Sequence, residues 1–248
     1  DELSATLTTL PGYVGNFTWE ELEGSRIVRD GFTGADIRVA ISYHTTRNEQ
    51  VHASNDLVHG TENGDVLYGY SGNDTLFGNS GNDFLQGNQG IDNINGNAGN
   101  DTVYGGKDGD MLHGGRDNDF MNGHNSNDTV YGDKGDDTVR GGKNEDYVAG
   151  GDGNDWIYGD LGNDTLNGGT GADSFVFNAS SGIDTIDDFS STDDQIQISS
   201  TIYSTAIDAF NAISYSNNSA ILDLGNGNTV TLLGVNAGGI AAEDFVIF

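Results

Sequence analysis

No cysteine occurs in the 248 residues. Disulfides and thiolate metal sites are therefore excluded, and nothing follows about compartment. Positive charge is scarce: 9 Lys and Arg face 39 Asp and Glu, a net charge of −30. Such a surface repels nucleic acid and anionic lipid, so neither is expected as a partner. No run approaches the eighteen apolar residues of a membrane span. Apolar residues make up 34% of the chain, below the usual ~45–50%, so a conventional globular core over the whole length is not expected. Histidine is limited to His44, His52, His59, His113 and His124. None is followed by glutamate, so the His-Glu-x-x-His pattern of a zinc protease is absent, and no serine sits in a G-x-S-x-G elbow. The spacings of His44, His52 and His59 match no zinc pattern and read as exposed loop histidines; His113 reads as a solvated strand residue. The chain is read as non-catalytic. It begins Asp1-Glu2-Leu3, with neither methionine nor signal peptide, as expected of a piece of a longer protein whose activity would lie upstream.

What the chain does contain is a period. Asp65, Asp74, Asp83, Asp92, Asp101, Asp110, Asp119, Asp128, Asp137, Asp146, Asp155, Asp164 and Asp173 stand nine residues apart. Five residues before each is a glycine, from Gly60 to Gly168, and two residues after each is an apolar side chain, from Leu67 to Phe175. Low-complexity sequence does not hold three positions in phase over this length. Asp56 and Val58 are also in phase, but Val51 replaces the leading glycine, which marks a degenerate first unit.

This pattern resembles the RTX (haemolysin-type) nonapeptide repeat, G-G-x-G-x-D-x-U-x, and the resemblance implies an all-β parallel β-roll loaded with calcium. In the unit Gly78–Gln86 the last three residues form a strand, with Leu85 inward and Phe84 and Gln86 outward. The first six turn the chain, with glycine favoured for positive φ. Two units make one coil of eighteen residues, and the thirteen apolar residues form the core between two sheets. Each Asp then stacks on the Asp eighteen residues away, about 4.8 Å along the roll. Two bare carboxylates that close repel by roughly 3–4 kcal/mol at an effective dielectric near 20, so the ladder needs a cation. Ca²⁺ suits carboxylates and backbone carbonyls, Mg²⁺ demands stricter geometry, and Zn²⁺ prefers Cys and His. Pairs from Asp65/Asp83 to Asp155/Asp173 set a ceiling of about eleven ions.

The fourth position of the unit is Gly in eight of thirteen repeats, the others being Asn63, Asp108, Asp117, Ser126 and Asn144. The second is Gly in five and Asn or Asp in five, then Thr61, Tyr70 and His124. Asn and Asp tolerate the left-handed region best, so the backbone path is expected to be kept. His124 and Ser126 together make Gly123–Tyr131 the weakest turn, where the poorest calcium occupancy is expected. Gly60 to Asp173 carries 21 acids and 5 bases. High acidity with low hydrophobicity predicts a disordered metal-free state, with folding and ion binding as one event.

Three regions follow: residues 1–55, an N-terminal capping segment; 56–177, the calcium-binding roll; and 178–248, a C-terminal cap. In the first, Thr18-Trp19-Glu20-Glu21 reads as a capping box opening a helix over Trp19–Glu23, with strands at Ser25–Asp30 and Asp36–Tyr43. In the third, strands are expected at Ser174–Phe177, Ile183–Phe189, Asp194–Ser199, Ala220–Leu224 and Thr229–Leu233, with a helix over Thr205–Ile213 and a hairpin at Gly225-Asn226-Gly227-Asn228. This order is similar to the segment that follows the roll in serralysin-type proteases and related exoproteins. That likeness implies a type I secretion signal at Asp244, Phe245, Val246, Ile247 and Phe248, with the type I machinery as partner and an extracellular or cell-surface location.

Outward positions place Tyr68, Phe84, Tyr104, Phe120, Trp156 and Tyr158 on one sheet as a continuous aromatic strip; Phe77, Met111, Tyr131 and Tyr147 lie on the other. Such a strip packs against something. The N-terminal segment, the tail or an upstream domain comes first, then self-association, then glycan stacking. Three functions stand open at this point: a calcium-folded secreted module, a calcium-dependent adhesive or surface-layer element, and the ancillary domain of a secreted enzyme.

Overall fold

The computed structural model describes the backbone of residues 17–22, 25–30 and 36–39 and the whole of residues 55–248. The strands are β1 (Phe17–Leu22), β2 (Ser25–Asp30), β3 (Asp36–Val39), β4 (Leu57–His59), β5 (Val66–Ser71), β6 (Thr75–Ser80), β7 (Phe84–Gln89), β8 (Asn93–Ala98), β9 (Thr102–Lys107), β10 (Met111–Arg116), β11 (Phe120–His124), β12 (Thr129–Lys134), β13 (Thr138–Lys143), β14 (Tyr147–Asp152), β15 (Trp156–Leu161), β16 (Thr165–Thr170), β17 (Ser174–Phe177), β18 (Ile183–Ile186), β19 (Gln195–Ile198), β20 (Ile213–Ser216), β21 (Ser219–Gly225), β22 (Asn228–Leu232) and β23 (Phe245–Ile247). Among the described residues the one α-helix, α1 (Ala206–Asn211), is capped by Thr205, whose side chain accepts from the Asp208 N–H, and a short 3-10 turn covers Ala242–Asp244.

The strands alternate between two parallel sheets. Even-numbered strands from β4 to β18 lie in one and odd-numbered strands from β5 to β19 in the other. Each pairs in register with the strand one coil away, as in Leu112↔Val130 and Met121↔Val139. The chain is thus an all-β parallel solenoid with an eighteen-residue coil, set by two nine-residue units. Between the sheets the thirteen in-phase apolar side chains are sealed: Leu67 is 1% exposed and the other twelve 0%. Val58 joins them at 4%. Truncating one such side chain leaves a void that neighbours confined to two flat sheets fill poorly. Leu112→Ala is expected to destabilise the calcium-loaded chain by about 2–5 kcal/mol, read as a lowered denaturant midpoint at unchanged slope; a loss under ~1 kcal/mol would mean that the core is not close-packed.

Three local expectations need correction. The strands are mostly six residues long, not three, because the first three residues of each unit extend the preceding strand: β6 runs through Gly78, Asn79 and Ser80. The positive φ angles fall on the second and fourth positions of the unit, not on the leading glycine. Tyr70 (φ 72°) and His124 (φ 79°) hold the left-handed second position as Asn79 and Gly106 do, so the coil imposes the conformation on side chains that disfavour it. Thr61 and Asn63, in the first unit, and Gly162, in the twelfth, do not have a positive φ. In the weakest turn, His124 and Ser126 (φ 83°) keep the path, although β11 is one residue shorter than its neighbours. The helix expected over Trp19–Glu23 is a strand instead: β1 pairs antiparallel with β2, and Phe17, Thr18 and Trp19 are residues that favour a pleated ladder. β2 has the expected bounds; β3 covers Asp36–Val39, and residues 40–43 lie outside the described residues.

After β17 the tail prolongs both sheets. β18 and β22 continue one, with β21 and β20 forming an antiparallel edge, while β19 and β23 continue the other. The expected hairpin joins β21 and β22, and β20 was not expected. Among the described residues no helix is long and apolar enough to cross a membrane.

Candidate metal centre

Every in-phase aspartate sits at the bend just before a strand, and its surroundings repeat. The Asp92 N–H donates to Asp110 Oδ1 at 2.8 Å, Asp110 to Asp128 at 2.8 Å, and Asp128 to Asp146 at 2.8 Å. On the other edge Asp83, Asp101 and Asp119 donate in the same way to Asp101, Asp119 and Asp137, at 2.7–2.8 Å. From Asp74 to Asp173 each carboxylate is thereby pinned by one oxygen to the backbone of the preceding coil. All thirteen are buried, at 1–4% exposure.

The second oxygen has no such anchor. In Asp83, Asp92, Asp101, Asp110, Asp119, Asp128, Asp137, Asp146, Asp155, Asp164 and Asp173, Oδ2 is buried without a hydrogen-bond partner. An unsatisfied buried acceptor costs about 1–3 kcal/mol, more when charged. One repeated orphan atom is not a packing accident, and its immediate neighbours show why. A Cβ placed on Gly96 would lie 2.7 Å from the Gly114 carbonyl oxygen and nearer still to Asp101 Oδ2. Gly78, Gly87, Gly105 and Gly114 repeat that pair of oxygens. The leading glycine is required for the space it leaves: a carboxylate oxygen and a backbone carbonyl from successive coils converge where a side chain would stand.

Among the described residues no three His, Cys, Asp or Glu side chains converge. Carboxylate plus main-chain carbonyl is the remaining donor set, which suits a hard cation of flexible coordination and fits Ca²⁺ better than Mg²⁺ or Zn²⁺. Bound there, the ion would supply positive charge between stacked carboxylates; the Asp side chains and glycine carbonyls would hold it. Without that charge, burial above all pushes the carboxyls up, to about 8 at Asp110, Asp119 and Asp146 and about 7 at Asp92, Asp101, Asp128, Asp137, Asp155 and Asp164. Backbone hydrogen bonds pull the other way, and for most of these groups neighbouring carboxylates add to the rise.

Asp65 differs: its Oδ2 accepts from the Thr61 N–H (2.5 Å) and the Thr61 hydroxyl (2.8 Å). Three further aspartates stand in the ladder outside the thirteen. Asp56 donates to Asp74 Oδ1 at 2.7 Å. Asp184 and Asp194 accept from Asp164 and Asp173 at 3.0 and 3.1 Å. Counting in nines misses the last two because their spacings are 20 and 21 residues. The surviving signal is Asp-x-apolar, in Asp184-Thr185-Ile186 and Asp194-Gln195-Ile196.

The outward aromatics form a shorter strip than expected. Tyr68, Phe84, Tyr104 and Phe120 make successive ring contacts at 6.0, 5.6 and 5.9 Å. Thr138 and Arg140 then interrupt the row by register. Beyond the break, Arg140 lies 4.5 Å from the Tyr158 ring centroid and forms a bidentate pair with Asp160, while Trp156 is 43% exposed. The opposite sheet has its own stack, His113–Tyr131–Tyr147, with ring centroids 4.8 and 5.8 Å apart. His113 is therefore not merely solvated, since its Nδ1 also lies 3.0 Å from Asp133 Oδ2. His59 is on β4 rather than in a loop and stacks on Phe77 at 4.9 Å; His44 and His52 lie outside the described residues.

The terminal residues Asp244, Phe245, Val246, Ile247 and Phe248 are built into the fold. Asp244 Oδ2 accepts from the Ala241 N–H at 2.7 Å, Phe245 is 4% exposed, and β23 pairs in parallel with β19.

The family model of the RTX calcium-binding nonapeptide repeat (four copies) matches residues 53–85, 77–112, 86–121, 106–139, 113–148 and 140–175. No curated protein matches the chain. Among solved structures the chain is similar to the crystal structure of extracellular lipase LipA from Serratia marcescens, with 17% identity and a TM-score of 0.36, over 89% of this chain and 44% of that one. The chain thus spans less than half the length of that lipase.

Proposed function

Since residues 53–175 belong to the RTX calcium-binding nonapeptide repeats, a structural and non-catalytic element, we propose that this chain is a calcium-triggered folding module from the C-terminal part of a larger secreted bacterial protein. The observation that carries the proposal is the row of buried Oδ2 atoms, each beside the glycine five residues before it, with a carbonyl oxygen of the next coil joining at Gly78, Gly87, Gly96, Gly105, Gly114 and Gly132. At low calcium the row is a line of mutually repelling charges and the chain stays open. Where calcium is abundant, each site filled at a hundred times its dissociation constant adds about 2.7 kcal/mol. The proposed division is a cap over residues 1–55, the roll over 56–177 and a second cap over 178–248.

The same switch suits export by a type I machinery. Sites tuned to the millimolar range of extracellular modules stay empty in a cytosol, so the chain would travel unfolded. Supporting this is the place of β23: once folded, Phe245 is covered and the last residues are paired, so a secretion signal at Asp244–Phe248 would be legible only before folding. Any catalytic activity would belong to the upstream part of the parent protein. A second reading, a calcium-dependent adhesive or glycan-binding surface, is favoured by the row Tyr68–Phe84–Tyr104–Phe120 on an outer face.

The test is far-UV circular dichroism during a calcium titration from excess chelator, with magnesium as control. A cooperative coil-to-β transition with calcium alone is the expected result. A full β spectrum in chelator would sink the folding switch and leave calcium as reinforcement only.

A further inference from the structure

We propose that the cation ladder continues past the nine-residue period and takes Asp184 as a further calcium ligand, partnered with Asp164. This rests on the calcium reading above and extends it to a residue beyond the repeats, which end at residue 175.

The turn leading to Asp184 is two residues longer than a repeat allows, yet the chain re-enters register at once. Gly182 bridges in parallel to Gly162, twenty residues back. Thr185 and Ile186 pair with Thr165 and Leu166. The Thr185 N–H donates to the Asp164 carbonyl at 2.8 Å, as Thr165 does to Asp146 one coil earlier at 2.8 Å. Gly182-Ile183-Asp184-Thr185-Ile186 therefore lies over Gly162-Asn163-Asp164-Thr165-Leu166, with Ile186 fully buried in the core.

The two oxygens of the carboxylate repeat the pattern of the central sites, although Ala179 stands where those have a glycine five residues before the Asp. Asp184 is 0% exposed, its Oδ1 takes the Asp164 N–H at 3.0 Å, and its Oδ2 is buried with no hydrogen-bond partner. The buried Ser181 hydroxyl faces the same carboxylate and favours its charged form, although no hydrogen bond of normal geometry closes between them. Asp194, one half-coil further, is the internal contrast. Its Oδ1 takes the Asp173 N–H at 3.1 Å, but its Oδ2 takes the Ser190 N–H at 2.8 Å. Both of its oxygens face protein donors, so this edge of the ladder ends in a hydrogen bond and the other edge ends in an open oxygen.

The experiment compares the full chain with Asp184→Asn and Asp194→Asn, counting bound calcium by equilibrium dialysis against calcium chloride and metal analysis. Asp184→Asn is expected to bind one ion fewer than the parent, and Asp194→Asn the same number as the parent. An unchanged count in a folded Asp184→Asn chain overturns the assignment while leaving the calcium-loaded roll standing. A parent chain that binds no calcium removes both. Should Asp184→Asn fail to fold, anomalous diffraction from crystals of the parent chain in calcium chloride decides instead. A peak beside Asp184 Oδ2 supports the site. Peaks at the central coils with none at Asp184 overturn it.

Discussion

In the absence of calcium the roll is expected to be most stable in acid and to unfold as the pH rises, the reverse of its behaviour with calcium bound. Burial pushes eleven carboxyls in the same direction: Asp92, Asp101, Asp110, Asp119, Asp128, Asp137, Asp146, Asp155, Asp164, Asp173 and Asp184 are raised to about 6 to 8 in the folded metal-free chain. Unfolded, they return to ordinary carboxylate values near 4. Between about pH 4 and 8 the folded metal-free state therefore holds protons that the unfolded state has released, and its stability falls as pH rises through that window. One pKa unit is worth about 1.4 kcal/mol. A rise of a single unit at each of eleven groups would already match the ~5–15 kcal/mol stability of a typical domain, and the rises are larger than that. At neutral pH the metal-free roll is therefore expected to be unfolded. Calcium inverts the slope while it is bound, because its ligands must be deprotonated: the stabilisation it adds shrinks as acid protonates the ladder, and the loaded chain converges there on the protonated metal-free roll. Denaturant midpoints read by circular dichroism should fall with rising pH in metal-free buffer and rise with it in calcium. Parallel trends in the two buffers would mean that the carboxylates are not what couples the fold to the ion.

The second large effect is expected from a single methyl group. Gly96 has an ordinary backbone conformation, so Gly96→Ala introduces no torsional strain. Its methyl would stand 2.7 Å from the Gly114 carbonyl oxygen and closer to Asp101 Oδ2, in the space where a cation's ligands meet. Gly96→Ala should lose at least one bound calcium and destabilise the loaded chain by about 1–3 kcal/mol or more, seen as a higher calcium midpoint for folding. A variant with the parental ion count and midpoint would show that the space beside the glycine is not the site.

Much of this was legible in the sequence, for a physical reason. A solenoid repeats its environment, so an in-phase Asp, Gly and apolar residue report burial, cation and core without any long-range information. Leu67 to Phe175 could be placed in the core from phase alone. What escaped lies where the repetition lapses. Asp184 and Asp194 were lost because turns can lengthen outward by two or three residues while the strand below stays in register. Thr18-Trp19-Glu20-Glu21 carries a helix-capping pattern, but pairing of β1 with β2 outweighs a local cap. His113 looked solitary because its partners Tyr131 and Asp133 are eighteen and twenty residues away, one coil over. The glycine at the head of each unit was rightly singled out and assigned the wrong reason: it avoids a collision, whereas Tyr70 and His124 show that the left-handed positions admit other residues.

The in-register pairing of residues eighteen apart makes length in this molecule come in steps. Removing eighteen consecutive residues from the middle, say from Gly96 to His113, would bring Asn95 onto Gly114, a junction that the alternation of the two sheets already accepts. The roll would be shorter by one coil, and both ends would meet the same neighbours as before. Removing nine would leave β18 on β16 and β19 on β17 but exchange the two sheets for everything downstream, so that the sheet begun at β4 would end in β19 and the sheet begun at β5 in β18. Gain or loss of whole coils is thus the change that this architecture absorbs most readily, and half-coils are the change it resists.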